Sequence, residues 1–195
     1  MARQPSAWFQ TIPCDGIRVH IYPTRQFKTI TCVLMVQQAL TEQTVTPTAM
    51  LAQILQRGSA QYPTKLEMTR YLDEMYGAVF HVDVDKRGER HVLQFYLDLP
   101  HEKYVQNEDD LLEKGMAFLA DVLLRPLLEG EDRFVQRYVE AAKGALKRKI
   151  ESIIDDKIQY AQYRCISEMC RNEPFRLLPY GQLEDVSAME AGALY

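Results

Sequence analysis

Two segments of alternating hydrophobicity, joined by a short polar stretch, constrain the fold of this chain more than any other feature. The segments are Val79–Val84 and His91–Leu97, and between them Asp85–Arg90 supplies a polar turn with a glycine. Alternation is typical of a strand with one buried face, and a short connection with a glycine joins antiparallel neighbours. The sequence therefore predicts a β-hairpin and, with it, an antiparallel sheet.

The periodicity of the other segments predicts two further strands and a set of helices. Ile17–Tyr22 alternates, while Thr29–Val36 is β-branched and almost continuously apolar, which predicts a central, buried strand. The predicted helices are Ala49–Gln56 with its start at Thr46-Pro47-Thr48, Lys65–Met75, Asp109–Leu124, and one or two long helices over Glu131–Cys170. Asn172–Gly181 is predicted to be a loop. The order β-β-α-α-β-β-α-α predicts an α+β fold, with helices on one face of an antiparallel sheet.

The chain length and its last residues bear on domain organisation. A chain of 195 residues is expected to form one domain. The last segment, Asp185–Tyr195, has the pattern of a helix that has only begun. We therefore expect residues 1–195 to be a single α+β domain, truncated from a longer subunit.

Composition narrows the classes of partner. The formal net charge is −4, whereas a nucleic-acid-binding chain is expected to be basic, so we expect no nucleic acid. Apolar runs such as Cys32–Val36 are far shorter than the ~20 residues of a membrane span, and the N-terminal residues lack the apolar core of a secretory signal. Four scattered cysteines do not form a disulfide framework. We expect a cytoplasmic chain with no membrane partner.

A search for catalytic residues gives no complete set. The four histidines are His20, His81, His91 and His101, and none forms a helical i,i+4 pair. His81 and His91 lie on opposite arms of the predicted hairpin and could bind a metal, but two histidines on a half-solvated strand face are the more common case. Ser59 has no evident base. Asp109-Asp110 and Asp155-Asp156 are best interpreted as solvated or helix-start charges.

The order of the segments resembles the pitrilysin/insulinase family of zinc metallopeptidases, which includes the mitochondrial processing peptidases. In that family two helices are joined by a Lys/Arg-Gly-Ser/Thr turn, here Arg57-Gly58-Ser59, and the second helix ends at a small pair, here Gly77-Ala78. The hairpin, the Leu-x-x-Pro stretch at Leu123–Leu127 and the Pro179-Tyr180-Gly181 loop follow in the family's order. The resemblance implies that this chain is the first α+β unit of a two-lobed subunit.

The zinc ligands of the family are missing from the matching positions. Active members carry an inverted HxxEH motif, whose two histidines bind zinc while the glutamate acts as general base. Here Ala49 and Gln53 stand at the histidine positions and Ala52 at that of the glutamate. The third ligand, a later glutamate, aligns near Lys149, with Glu151 close by. The resemblance therefore implies a non-catalytic member with no metal and no cofactor of its own.

The family also implies what such a chain does. Non-catalytic members pair with a homologous zinc-bearing subunit and help to enclose an extended peptide, which in active members adds to the strand after the second helix. That strand maps to His81-Val82-Asp83-Val84, although an ordinary shielded edge strand is the simpler interpretation. A homodimer is also possible.

Two alternatives stay open at this point. The chain could be an active zinc peptidase whose site has moved to His81, His91 and nearby acids. It could also be a scaffold with no peptide role, bound to an acidic partner through the basic helix segment Lys143–Lys149, although such segments are more often solvent-exposed faces.

Overall fold

The computed structural model describes residues 9–105, 110–130 and 132–194 of the chain. The predicted helix limits at Asp109 and Glu131, and the last predicted residue, Tyr195, lie outside this part. The strands are β1 Gln10–Cys14, β2 Ile17–Ile21, β3 Thr29–Ala39, β4 Val79–Arg87 and β5 Arg90–Pro100. The helices are α1 Glu42–Leu55, α2 Lys65–Glu74, α3 Leu111–Leu124, α4 Gln136–Asp155, α5 Lys157–Met169 and α6 Leu183–Ala188.

The predicted hairpin is confirmed and forms most of the main sheet. That sheet is antiparallel, with strand order β3-β5-β4. Both arms are longer than predicted, because Asp85–Arg87 stays in β4 and the turn shrinks to Gly88 and Glu89. Gly88 has φ +57°, at the first central position that a type II′ turn reserves for glycine.

The prediction that Thr29–Val36 forms the central, buried strand is wrong. β5 is the central strand and β3 lies at one edge of the sheet within the described residues. Val33 and Met35 on β3 are exposed to 43% and 60%, whereas Cys32 and Leu34 on the other face are half-buried. A continuous apolar run indicates a strand, but the run alone does not show whether that strand lies at the centre or at the edge of its sheet.

One face of the sheet carries the helices and the core. Val82, Phe95 and Leu97 point into this core, where α1 packs on β4 and β5, and α3 packs on β5. Gly115 allows the close approach of α3, since a Cβ at this position would lie 2.6 Å from Leu99 Cδ1. The predicted α+β architecture, with helices on one face of an antiparallel sheet, is confirmed.

The first helix begins before its predicted start at Thr46-Pro47-Thr48. Thr41 caps α1, its side chain accepting a hydrogen bond from Thr44 N, and Pro47 lies inside the helix. A proline there has no N–H for the carbonyl of the residue four positions earlier, Gln43. Gln43 is exposed, so water can hydrogen-bond to this carbonyl and the helix passes through the proline.

One aspartate of each predicted carboxylate pair caps the start of a helix. Asp156 ends α4 and caps α5 by accepting from Ile158 N at 3.0 Å and Gln159 N at 3.1 Å. These backbone bonds lower the pKa of Asp156, because they favour its charged form. Asp110 caps α3 by accepting from Glu113 N. The interpretation of Asp110 and Asp156 as helix-start charges is thereby confirmed.

The turn between α1 and α2 is fixed by a buried polar pair. Ser59 Oγ donates to Asp121 Oδ2 of α3 and accepts from Tyr62 N. Gly58 permits this turn, since a Cβ there would lie 2.6 Å from the Pro63 carbonyl oxygen. Ser59 is therefore a structural residue that joins the turn to α3.

Several smaller elements differ from the predictions. β1 was not predicted, and it pairs with β2 as an exposed two-stranded hairpin apart from the main sheet. The predicted Asn172–Gly181 loop contains a short 3₁₀ turn at Pro174–Arg176. The helical pattern in Asp185–Tyr195 divides into the end of α6 and a 3₁₀ turn at Ala191–Leu194.

Candidate functional site

The matched metal positions on α1 face the edge strand β4. Ala49 and Ala52 are 1% and 0% exposed, and Gln53 is half-buried. One turn further on, Gln56 Nε2 donates to the Val82 carbonyl at 2.7 Å and to the Ala52 carbonyl at 2.9 Å. Because residues three or four apart share a helix face, positions 49, 52, 53 and 56 form one stripe along this edge.

Lys149, on α4, lies at the same edge of the sheet. Its Nζ is 2.8 Å from Asp83 Oδ1 and 2.9 Å from Asp83 Oδ2, and 4.2 Å from the centre of the Tyr180 ring. Burial by itself lowers the pKa of Lys149, but the hydrogen bond to Asp83 and the electrostatic effects of Tyr180 and Asp83 outweigh it, so the pKa is raised. Lys149 is therefore a charged ammonium that joins α4 to β4.

These residues do not fit a zinc ion. Alanine methyl groups have no donor atom, a neutral amide is a poor zinc ligand, and the Lys149 ammonium would repel a dication. Glu151, the neighbouring candidate for the third ligand, is exposed. Across residues 9–105, 110–130 and 132–194 there is no group of three or more His, Cys, Asp or Glu side chains that could hold a metal.

The loop that carries Tyr180 is held by the far end of the hairpin. Lys86 Nζ donates to the carbonyls of Phe175 and Leu177 at 2.6 and 2.9 Å. His91 Nε2 is 2.9 Å from the Pro179 carbonyl, and His91 is the direct cross-strand partner of Lys86. Two side chains of one strand pair thus bind three loop carbonyls and place Tyr180 beside Lys149.

Sequence reasoning missed this role of Lys86 and His91. His91 was interpreted as a residue on a half-solvated face, and this is wrong because His91 is 0% exposed. The hairpin register places Lys86 opposite His91 on the helix-facing side. That pairing is the signal that could have identified them, since two polar residues on a core-facing side need polar partners.

The structure does not bring His81 and His91 together. His81 pairs with Tyr96, and the two rings stack at 4.6 Å on the outer face of the sheet. His91 lies five residues from Tyr96 along β5, about 17 Å away at the rise of a strand, and on the other face. A relocated metal site built on both histidines is therefore contradicted by the fold.

The predicted peptide-binding segment lies in β4, at an edge of the main sheet within the described part of the chain. His81 is exposed, and Val82 and Val84 point into the core. The Val82 carbonyl and the Asp83 carboxylate are engaged by Gln56 and Lys149. Peptide binding by this segment stays a prediction.

The basic segment Lys143–Lys149 is not one solvent-exposed face. Lys143 Nζ forms an ion pair with Glu140 Oε1 at 3.0 Å, Arg148 is exposed, and Lys149 is bound to Asp83. Its side chains therefore point in several directions around α4.

The fold defines a class, the pitrilysin-type peptidase domain, and the positions that the resemblance matches to its metal ligands hold residues that do not fit zinc. The chain is a homologue of the pitrilysin/insulinase-type zinc peptidases, as the sequence predicted. It is 41% identical over 180 residues to the "Probable inactive metalloprotease YmfF" of Bacillus subtilis (strain 168), covering 92% of this chain and 42% of that protein. No protein-family model matches the chain.

Solved structures show the same fold. A conserved protein from Enterococcus faecalis V583 superposes with a TM-score of 0.87 at 24% identity, over 95% of this chain and 44% of that one. Pitrilysin superposes with a TM-score of 0.61 at 18% identity, over 96% of this chain and 18% of its own. The chain therefore spans less than half the length of each of these proteins.

The described segments of the chain contain no helix long and apolar enough to span a membrane. Each helix there is either too short or too polar to cross a bilayer.

The Lys149–Asp83 pair makes a testable contribution to stability. Lys149→Glu places two carboxylates together, and we expect it to lower the free energy of unfolding by about 1 kcal/mol, a modest amount because water screens a half-exposed pair. The swapped double variant Asp83→Lys/Lys149→Glu should recover most of the loss in urea unfolding. Lys147→Glu makes the same charge change on another face of α4 and should change the free energy of unfolding little. Equal losses in both glutamate variants would contradict the assignment.

The burial of His91 predicts a pH dependence. Burial lowers the pKa of His91, with a partly opposing effect from the Pro179 carbonyl and Asp85. The unfolded state, with a histidine pKa of about 6.5, therefore takes up the proton first, so stability falls as pH drops through that value.

The variant His91→Leu tests this dependence. At pH 8, where the imidazole is neutral in both states, the variant should lose only the hydrogen bond to Pro179, about 1 kcal/mol. From pH 7 downward, its free energy of unfolding in urea should decline less steeply than that of the parent chain. Parallel slopes in the two proteins would show that His91 contributes nothing to acid sensitivity.

Proposed function

We propose that this chain is the non-catalytic, N-terminal α+β part of a two-lobed peptidase-type subunit that pairs with a zinc-bearing homologue in the cytoplasm. In this proposal the zinc belongs to the partner, and the present chain helps to enclose and bind an extended peptide. The observation that supports it most is the Lys149–Asp83 ion pair at the edge where the family's metal site would lie.

The charge at this edge supports a non-catalytic role. Hydrolysis in this class needs a metal to lower the pKa of a bound water and a carboxylate to accept its proton. Here the cation is an ammonium with a carboxylate already bound, and α1 offers buried methyl groups at positions 49 and 52. The relative from Bacillus subtilis is itself described as a probable inactive metalloprotease, which agrees with this role.

A gain-of-metal experiment tests the assignment of these positions. We expect the parent chain to bind no stoichiometric zinc, and the triple variant Ala49→His/Gln53→His/Lys149→Glu to bind one zinc per chain, since it supplies three deprotonated ligands. Zinc would be counted by elemental analysis after gel filtration, with circular dichroism to confirm folding.

The matched control is the double variant Ala49→His/Gln53→His, which retains Lys149. It should bind zinc much more weakly. Equally tight binding by the double variant would move the third ligand position to Glu151. Stoichiometric zinc and chelator-sensitive peptide cleavage by the parent chain would overturn the non-catalytic proposal.

The partner role has its own test. We expect affinity purification of the full-length protein from its host to recover a homologous chain that carries an intact HxxEH motif, in equimolar amount. Recovery of unrelated proteins alone, or of the protein by itself as a monomer or homodimer, would contradict this part of the proposal and favour the scaffold alternative.

A further inference from the structure

Two arginines lie along one stripe of α4, and a third approaches this stripe from α1. Arg137 and Arg148 lie on the same face of this helix as Ala141 and Gly144, because these positions are three or four residues apart in succession. Arg57, two residues after the end of α1, reaches the same face of α4, where its Nη2 donates to the Ala141 carbonyl at 3.0 Å.

The Arg148 side chain lies over Gly144 on this stripe. The Cβ of an alanine at this position would be 3.4 Å from Arg148 Nη1, so the Arg148 side chain folds back along the helix toward the preceding turn. Arg57 approaches the same stretch from the side of Ala141. The two guanidiniums are thus brought toward each other over less than two helical turns.

No acid balances these charges in the described segments of the chain. Arg137 contacts the Tyr138 ring and hydroxyl, Arg57 binds a backbone carbonyl, and neither forms an ion pair with a carboxylate in residues 9–105, 110–130 and 132–194. Within the same ranges, Arg148 has neither a hydrogen bond nor an ion pair. Arg57 Nε is buried without a hydrogen-bond partner in this part of the structure.

The arrangement costs energy without a ligand. Burial and the charge of Arg148 both lower the pKa of Arg57, and the nearby Tyr138 opposes them only in part. A buried donor with no acceptor is unfavourable by itself, and a like charge adds to the cost. An anion beside the two guanidiniums would accept from their outer N–H groups and offset the repulsion, as carboxylates do when they bind arginine.

The position of the pair relates it to the edge strand. Gln56, next to Arg57, binds the Val82 carbonyl, and Lys149, next to Arg148, binds the Asp83 carboxylate. These contacts bring the segments that carry Arg57 and Arg148, the end of α1 and the second half of α4, to the part of β4 that the proposed function assigns to peptide binding.

We propose that Arg57 and Arg148 form a binding site for a carboxylate side chain of an extended peptide that lies along β4. This rests on the proposed peptide role, and it adds a preference for acidic residues to it. Backbone pairing supplies affinity for any sequence, so the arginine pair would select among peptides. The overall charge of the chain is −4 and works against acidic ligands, so a preference for them requires a local site.

The test compares two fluorescein-labelled peptides that differ only in charge, one alternating Val and Glu and the other alternating Val and Gln. By fluorescence anisotropy at low salt, the chain should bind the acidic peptide about tenfold more tightly, as expected for one charge-assisted pair. Arg148→Gln should remove this preference and leave the Gln peptide bound as before. Arg148 is exposed, so this variant should fold normally.

Two further variants complete the design. Arg164→Gln removes the same charge from α5, where Arg164 pairs with Glu168, and should retain the preference. Arg57→Gln should also remove it, with circular dichroism to show that the loss of the Ala141 bond leaves the fold intact. Equal affinity for the two peptides in the parent chain would overturn the carboxylate site and leave the peptide role standing. No binding of either peptide would overturn both.

Discussion

The Lys149 ammonium fixes the geometry of the edge on which the candidate site depends. It connects α4 to β4 through both oxygens of Asp83, and it lies over the ring of Tyr180. A single positive charge matched by one carboxylate and one aromatic face is a balanced arrangement at a half-buried position. A dication would need several deprotonated donors at the same place, and α1 provides none. The residue that the resemblance places near a zinc-ligand position therefore supplies a positive charge of its own instead of a ligand for a metal.

The far end of the hairpin explains why Tyr180 is available to this cation. Lys86 and His91 point toward the core side of the sheet, where polar groups must find partners, and they find them in the carbonyls of Phe175, Leu177 and Pro179. Gly181 then turns the chain at φ +81° against Thr46 of α1, where a Cβ would overlap the threonine hydroxyl. The loop is thus held by its backbone acceptors, by one glycine and by the buried side chain of Leu177, which packs with Leu40 and Val45.

The sequence was sufficient to predict the fold class, the hairpin and the helices with clear apolar periodicity, because each of these has a local signal. It was insufficient for features that depend on tertiary neighbours. The apolar run in β3 indicates a strand but not its place at the edge of the sheet. Pro47 is typical of a helix start, but here it lies inside α1, because the Gln43 carbonyl that it leaves without a partner is exposed to water. For the site, the positions of Ala49, Ala52, Gln53 and Lys149 came from resemblance. The bond from Lys149 to Asp83 joins residues that are far apart in sequence, and the burial of His91 depends on the distant loop that covers it. No local sequence pattern predicts either contact.

The contacts on β4 bear on what such an edge can bind. Gln56 already donates to the Val82 carbonyl, so an added strand would have to share this acceptor or displace the amide. A carbonyl oxygen has two lone pairs, and sharing is geometrically allowed, but main-chain pairing alone would then be weaker than at an unoccupied edge. Affinity would then have to come in larger part from side-chain contacts. In the proposed function, an edge of this kind would hold selected peptides more readily than every extended sequence.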